Sequence, residues 1–114
     1  MKPLSRLVIW KLRVMFPDPV VRSRIDREIQ RYGDSGEPQV DRVRLAILKL
    51  SEGQFDNINV AGAKEDPLDT ILWAERPRWI KRQLADLKLR PDDEDVIDAL
   101  DWEEYHDWLA KGLK

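Results

Sequence analysis

Apolar residues recur at every third or fourth position along much of the chain, which is the spacing of one helix face. Two stretches show this spacing most clearly. Their apolar positions are Val21, Ile25, Ile29 and Tyr32 in the first stretch, and Val40, Val43, Ile47 and Leu50 in the second. Ala46 and Leu48 widen the second apolar face, which therefore predicts the most buried helix of the protein. We place Ile47 and Leu50 in the hydrophobic core.

Residues 1–16 carry two competing periods. The positions with helical spacing are Leu4, Leu7, Val8, Lys11, Leu12 and Met15, and the positions that alternate as in a strand are Val8, Trp10, Leu12 and Val14. We favour the helix, and the strand stays open as the alternative. This stretch is also a candidate for an N-terminal segment that is only loosely attached to the rest of the protein.

Prolines divide the remaining chain into short elements. Asp18-Pro19 and Asp66-Pro67 each place a capping carboxylate before a proline at the first helical position, where the missing N–H is not needed. Arg76-Pro77 breaks or kinks a further helical stretch. These signals predict several helices of moderate length with short connections between them.

The fold class follows from these elements. Residues 54–64 have the weakest helical pattern, because two asparagines and a glycine in that segment are poor helix formers. Apart from the alternative reading of the N-terminal stretch, no segment is strongly strand-like. The sequence thus predicts a single all-α domain over residues 1–114, built as an irregular bundle of about five to seven short helices.

The C-terminal part of the chain shows a change of register. Four consecutive acids at residues 92–95 suit a helix N-terminus, where the helix dipole favours negative charge. The apolar stripe shifts after Leu100, and Asp101 and Glu104 have the spacing of an N-cap residue and the third helical position. This pattern predicts a helix break at Asp101.

Charge is distributed unevenly along the chain. Residues 1–50 contain eleven Lys and Arg against six Asp and Glu, whereas residues 51–114 contain nine against sixteen. Residues 92–107 contain nine acids and neither Lys nor Arg. The chain therefore has a basic first half and an acidic C-terminal end, although its net charge is only −2. Such polarity favours an oppositely charged partner, and the docking of the acidic end on the protein's own basic first half stays open as the alternative.

The usual motifs of catalysis and cofactor binding are missing from the sequence. There is no cysteine, no glycine-rich phosphate loop and only one histidine, His106, which stands among acids on a predicted helix surface. The acidic run at residues 92–95 lacks the glycine of an EF-hand loop. The sequence predicts no catalytic, cofactor-binding or metal-binding residue and no cofactor, and we do not expect an enzyme.

Tryptophan is the most distinctive residue type in the acidic half. Four of the five tryptophans lie after residue 70, and tryptophan is enriched at the centres of protein interfaces. The sequence therefore suggests a non-enzymatic protein that acts through a protein partner, with an acidic, tryptophan-bearing C-terminal surface. The candidate interface residues are Asp95, Asp98, Trp102, Tyr105 and Trp108.

Two other functions stay open as alternatives. One is a nucleic-acid-associated regulator that uses the arginines of residues 22–31 together with Arg42 and Arg44, although exposed arginines that balance nearby acids explain them better. The other is an enzyme with an unrecognised site. The absence of cysteine and of a long apolar run predicts a cytoplasmic protein with no membrane span.

Three stretches of the chain resemble a family of short bacterial helical proteins that has no assigned activity. The stretches are residues 42–53, with the helix end Ile-Leu-Lys-Leu-Ser-Glu-Gly, residues 69–77, with Trp-Ala-Glu, and residues 105–109. The resemblance covers about residues 40–110, and residues 59–63 depart from the charged helix expected there. It implies a bacterial, cytoplasmic, helical protein and carries no functional residue to this chain.

Overall fold

The computed structural model describes residues 3–34, 36–84 and 91–111. Within these ranges the chain forms seven α-helices and a 3-10 turn at Phe55–Asn57, with no strand. The helices are α1 (Arg6–Met15), α2 (Pro19–Gln30), α3 (Val40–Ser51), α4 (Val60–Glu65), α5 (Pro67–Glu75), α6 (Pro77–Leu84) and α7 (Pro91–Ala110). The prediction of an all-α bundle of five to seven short helices is confirmed.

The helices begin where local sequence favours a start. Asp18 accepts a hydrogen bond from the backbone N–H of Val20 at 2.8 Å and so caps α2. Asp66 caps α5 through the N–H of Asp69 at 3.0 Å. In the weakly patterned segment, the Asn59 side chain accepts from the N–H of Gly62 at 2.9 Å and starts the short helix α4. Asparagine thus promotes a helix here by capping it.

The hydrophobic core surrounds α3, which lies against α1 and α5 and is buried over most of its circumference. The buried apolar side chains of α3 include Val43, Leu45, Ala46, Ile47 and Leu48. Those around it are Val8, Leu12, Phe16, Ile25, Ile29, Tyr32, Val60, Ala63 and Ile71. The prediction that this helix is the most buried and contains Ile47 in the core is therefore confirmed.

The N-terminal stretch is a helix in the structure. Val8 and Leu12 of α1, together with Phe16 just after it, are buried in the core. Ser5 accepts a hydrogen bond from the N–H of Val8 and caps the helix. Lys11 follows the same helical stripe and is buried as well, whereas Leu7, which the stripe also included, is exposed.

The prediction that Leu50 belongs to the core was wrong. Its side chain is 40% exposed, because it lies in the last turn of α3, one residue before the helix ends at Ser51. The inward position of that turn is taken by Ser51, which is fully buried and donates its hydroxyl to the Leu48 carbonyl at 2.6 Å. A small polar side chain can fill this position because its hydrogen bond is satisfied locally.

The expectation of an exposed arginine at Arg44 was also wrong, because this side chain is completely buried. Its guanidinium donates from Nε to the carbonyl of Tyr32 at 3.0 Å, from Nη1 to that of Pro3 at 3.0 Å, and from Nη2 to that of Gln30 at 3.4 Å. Burial lowers the pKa of Arg44, and nearby acids offset this effect only in part. Arg44 thus supplies donors from α3 to carbonyls at the C-terminal end of α2 and to one that precedes α1.

Gly33 permits this close approach. Its φ of +110° is a left-handed conformation that favours glycine, and a Cβ there would lie 3.1 Å from Arg44 Nη2. The glycine that marks the end of the second helix therefore also makes room for the buried guanidinium.

The break expected at Asp101 does not occur, since α7 runs without interruption from Pro91 to Ala110. The side chain of Asp101 is nevertheless used as a cap, but for a different helix. It accepts hydrogen bonds from the first residues of α6, which packs against α7. The capping chemistry was recognised in the sequence, whereas the helix that it serves is distant in the chain.

Candidate functional site

A groove of about 320 Å³ runs between the end of α5 and the middle of α7. Glu75 and Arg76 form the α5 side of this groove. The α7 side is formed by Asp98, Asp101, Trp102, Tyr105 and His106. It brings together three of the five residues that the sequence suggested as an interface, and we call it the α5–α7 groove.

Asp101 fixes α6 against α7 beside this groove. Its carboxylate is 1% exposed, and it accepts hydrogen bonds from the backbone N–H of Arg78 at 3.2 Å and of Trp79 at 3.1 Å. The Arg78 guanidinium donates to the same carboxylate at 3.1 Å and supplies its countercharge. A buried carboxylate that is paired and fully hydrogen-bonded holds two helices in a defined geometry.

Replacing Asp101 with Asn should lower the free energy of unfolding by about 1–2 kcal/mol, because the amide keeps the shape but loses the charge and one acceptor. Denaturant unfolding measures the loss. Asp98→Asn is the matched control one turn earlier, since Asp98 pairs with Arg76 at an exposed position and should contribute less than about 1 kcal/mol. Equal losses in the two variants would contradict the assigned role of Asp101.

The charges inside the groove are already paired. Arg42 donates to both carboxylate oxygens of Glu75, at 2.6 and 2.8 Å, and its hydrogen bond with Glu75 raises the pKa of Arg42. Arg76 pairs with Asp98 across the groove mouth, and its guanidinium also lies 4.7 Å from the ring centre of Trp79. With these acids neutralised, the groove mainly offers apolar surface to a ligand.

Aromatic rings form the α7 wall of the groove. Trp102 is 66% exposed and stands edge-on to the His106 ring with their centres 4.1 Å apart. Tyr105 is buried beside them, and burial, together with the charge of Glu75, raises the pKa of its hydroxyl to about 12. Tyr105 therefore stays neutral at physiological pH. Its buried ring packs beside the exposed tryptophan.

The five tryptophans all lie within the part of the chain that the structure describes, and they differ in exposure. Trp10, Trp73, Trp79 and Trp108 are half-buried, whereas Trp102 is exposed. A large aromatic ring left in water at the edge of a groove is typical of an interface anchor.

The helix that carries Trp102 also carries exposed acids. Glu94, Asp95, Glu103 and Asp107 on α7 are exposed, and none of them makes an ion pair with another described residue. Their charges are therefore available to a partner. Glu104, by contrast, pairs with Lys49 at 3.3 Å and with Arg78 at 3.5 Å.

The residues suggested by the sequence occupy three settings. Asp98, Trp102 and Tyr105 line the groove, and Asp95 lies one turn before Asp98 on the same helix. Trp108 packs against the core and lines a different cavity, described below.

Sequence reasoning missed four groove residues, namely Glu75, Arg76, Asp101 and His106. The Arg76-Pro77 break and the capping signal at Asp101 were visible separately. Nothing in the sequence showed that Asp101 lies beside the helix that starts at Pro77.

Comparison with known proteins gives no relative from which the role of this site could be inferred. The chain has no match among protein families, curated proteins or solved structures. In the described ranges, no three His, Asp or Glu side chains are placed to hold a metal ion. Among the helices described, none has the length and apolar character needed to cross a membrane.

Proposed function

We propose that this protein binds another protein through the α5–α7 groove, and that the partner presents a basic, amphipathic segment. The observation that carries the proposal is the exposed ring of Trp102 at an apolar groove, on a helix that also bears exposed acids without an ion-pair partner among the described residues. Apolar side chains of the partner would contact Trp102 and enter the groove. Its Lys or Arg residues would face the acidic outer surface of α7.

The apolar part of this recognition supplies most of the affinity. Because Glu75, Asp98 and Asp101 already have arginine partners, a charged side chain entering the groove would compete with existing ion pairs. An apolar side chain displaces only water and covers Trp102. Binding is then stabilised by the removal of both apolar surfaces, that of the partner side chain and that of the Trp102 ring, from water. We therefore expect a large aliphatic or aromatic anchor on the partner.

The acidic surface selects the partner and speeds its arrival. Exposed charges at the rim of an interface mainly increase the association rate and exclude partners of the wrong sign. The exposed acids Glu94, Asp95, Glu103 and Asp107 make α7 unsuitable for nucleic acid, because its phosphates would be repelled. A positively charged protein segment is the partner that fits both the sign and the apolar groove.

The basic half supports the alternative of nucleic-acid binding less well. Arg24 and Arg27 on α2 and Arg31 directly after it are exposed and could contact phosphates. However, Arg31 pairs with Glu28, and Arg44 is buried. We propose a non-enzymatic cytoplasmic role, in keeping with the lack of cysteine, and a bacterial origin, in keeping with the family resemblance.

Selection from a displayed library of random helical peptides tests the proposed function. The wild-type protein should enrich sequences that combine Lys or Arg with a large apolar residue. Trp102→Ala should abolish this enrichment. Leu68→Ala is the matched control, because Leu68 is 63% exposed on α5 and does not line the groove. Enrichment that survives in Trp102→Ala, or that favours acidic peptides, would contradict the proposal.

A further inference from the structure

A second cavity, of about 460 Å³, lies where α1, the end of α3 and the end of α7 meet. Its polar lining includes three lysines, Lys11, Lys49 and Lys111, against two acids, Glu52 and Glu104. The ring of Trp108 forms part of its wall. This cavity shares no lining residue with the α5–α7 groove, and we call it the lysine cavity.

Lys11 is the unusual member of this lining. The residue is 1% exposed, and its ammonium lies 4.3 Å from the ring centre of Trp108 and 5.4 Å from that of Trp10. Its one hydrogen bond among the described residues is to the carbonyl of Lys111, at 3.4 Å. No described carboxylate lies within ion-pair distance of it.

A buried ammonium without a carboxylate is costly. Taking a charge out of water requires a compensating charge or several hydrogen bonds, and two aromatic faces with one long hydrogen bond provide only part of that compensation. Burial, with the nearby charge of Lys111, lowers the pKa of Lys11. By comparison, the buried carboxylate of Asp101 has both an arginine and two backbone N–H groups as partners.

The remaining charges of the lysine cavity leave a positive balance. Lys49 is neutralised by Glu104 at 3.3 Å, so Glu52 is the acid left to balance Lys11 and Lys111. Glu52 makes no ion pair with another described residue and is exposed at the end of α3. An anion in the cavity would therefore meet net positive charge beside an aromatic wall.

We infer that the lysine cavity binds a small molecule through a phosphate or carboxylate group, with the Lys11 ammonium as its countercharge. The anion supplies the charge partner that Lys11 lacks among the described residues. The part of the Trp108 ring that lines the cavity gives apolar surface against which the rest of such a molecule can pack. This site is independent of the partner-binding groove.

Titration of the protein with inorganic phosphate, and separately with acetate, tests this inference. Both titrations are followed by NMR at constant ionic strength set with sodium chloride. The indole N–H signal of Trp108, identified with a Trp108→Phe variant, should shift and saturate. Saturation by phosphate alone indicates a phosphoryl ligand, and saturation by acetate indicates a carboxylate. No saturable shift with either anion overturns the inference.

Variants show whether Lys11 holds the anion. Lys11→Met keeps the length of the side chain and removes the charge, and it should weaken binding at least about tenfold. Lys49→Met should weaken it less, and it provides a second variant if Lys11→Met does not fold. Lys64→Met is the control, because Lys64 also pairs with a glutamate, Glu37, outside the cavity. Equal binding by wild type, Lys11→Met and Lys49→Met overturns the assignment.

Discussion

Ile47→Ala should lower the free energy of unfolding by about 2–5 kcal/mol, which is the usual cost of truncating a buried aliphatic side chain. Ile47 is 2% exposed and lies on the face of α3 that packs into the core. The substitution removes apolar contacts and leaves a cavity that close-packed neighbours fill only in part. For a domain of ordinary stability, this is a large fraction of the total.

Denaturant unfolding of the variant measures this loss, and Leu50→Ala is its matched control. Leu50 stands three residues later on the same helix but is 40% exposed, so its truncation should cost about 1 kcal/mol or less. If Leu50→Ala loses as much stability as Ile47→Ala, the buried face of α3 is misassigned.

Arg44→Met should be the second strongly destabilising substitution, with a loss of about 2–4 kcal/mol. Methionine fills a similar length but donates no hydrogen bond. The carbonyls of Pro3, Gln30 and Tyr32 would then lose the donors that Arg44 provides. Relief from burying a charge offsets part of this cost, because the guanidinium is completely buried in the native protein.

Arg42→Met provides the comparison for Arg44. Arg42 lies two residues earlier on α3 with about half of its side chain exposed, and its pair with Glu75 should contribute about 1 kcal/mol or less. Both variants are measured by thermal and denaturant unfolding under identical conditions. A loss at Arg42 that equals the loss at Arg44 would show that buried carbonyl donors are not what makes Arg44 important.

The helices were predictable because their signals are local. Caps such as Asp18 and Asp66 act within three residues. The spacing of apolar residues such as Ile25 and Ile29 within one helix shows which side of that helix faces the core. The prediction failed at the end of α3. Leu50 fits the period of its helix, but burial also needs a neighbouring element to cover the last turn, and periodicity does not report where neighbouring elements end.

The buried charges were not predictable, because their partners are distant in the chain. Arg44 bonds to carbonyls between 12 and 41 residues away, and Asp101 caps a helix that begins 24 positions earlier. Lys11 followed the helical stripe, but the aromatic ring beneath its ammonium belongs to Trp108. Sequence spacing identifies the polar residue in such cases, and tertiary packing decides whether it meets solvent or backbone.

One wall of the candidate surface was predictable, and the other was not. The spacing of Asp95, Asp98, Trp102 and Tyr105 places them along one side of a helix, and a continuous α7 keeps them there. The opposite wall of the groove comes from Glu75 and Arg76 of a separate helical segment. The pairing of Asp98 with Arg76 also makes Asp95 the better site for a charge reversal, because Asp95 is exposed and has no described partner.

The association and dissociation rates of an enriched basic peptide test the central claim most directly. They are measured for wild type, Asp95→Lys and Trp102→Ala at low and at high salt. We predict that Asp95→Lys slows association, most clearly at low salt where charges are least screened, and leaves both dissociation and melting temperature unchanged. Trp102→Ala should speed dissociation by about thirtyfold, which corresponds to a loss of about 2 kcal/mol at an interface anchor. Identical rates for all three proteins would contradict the α5–α7 groove as the partner-binding surface.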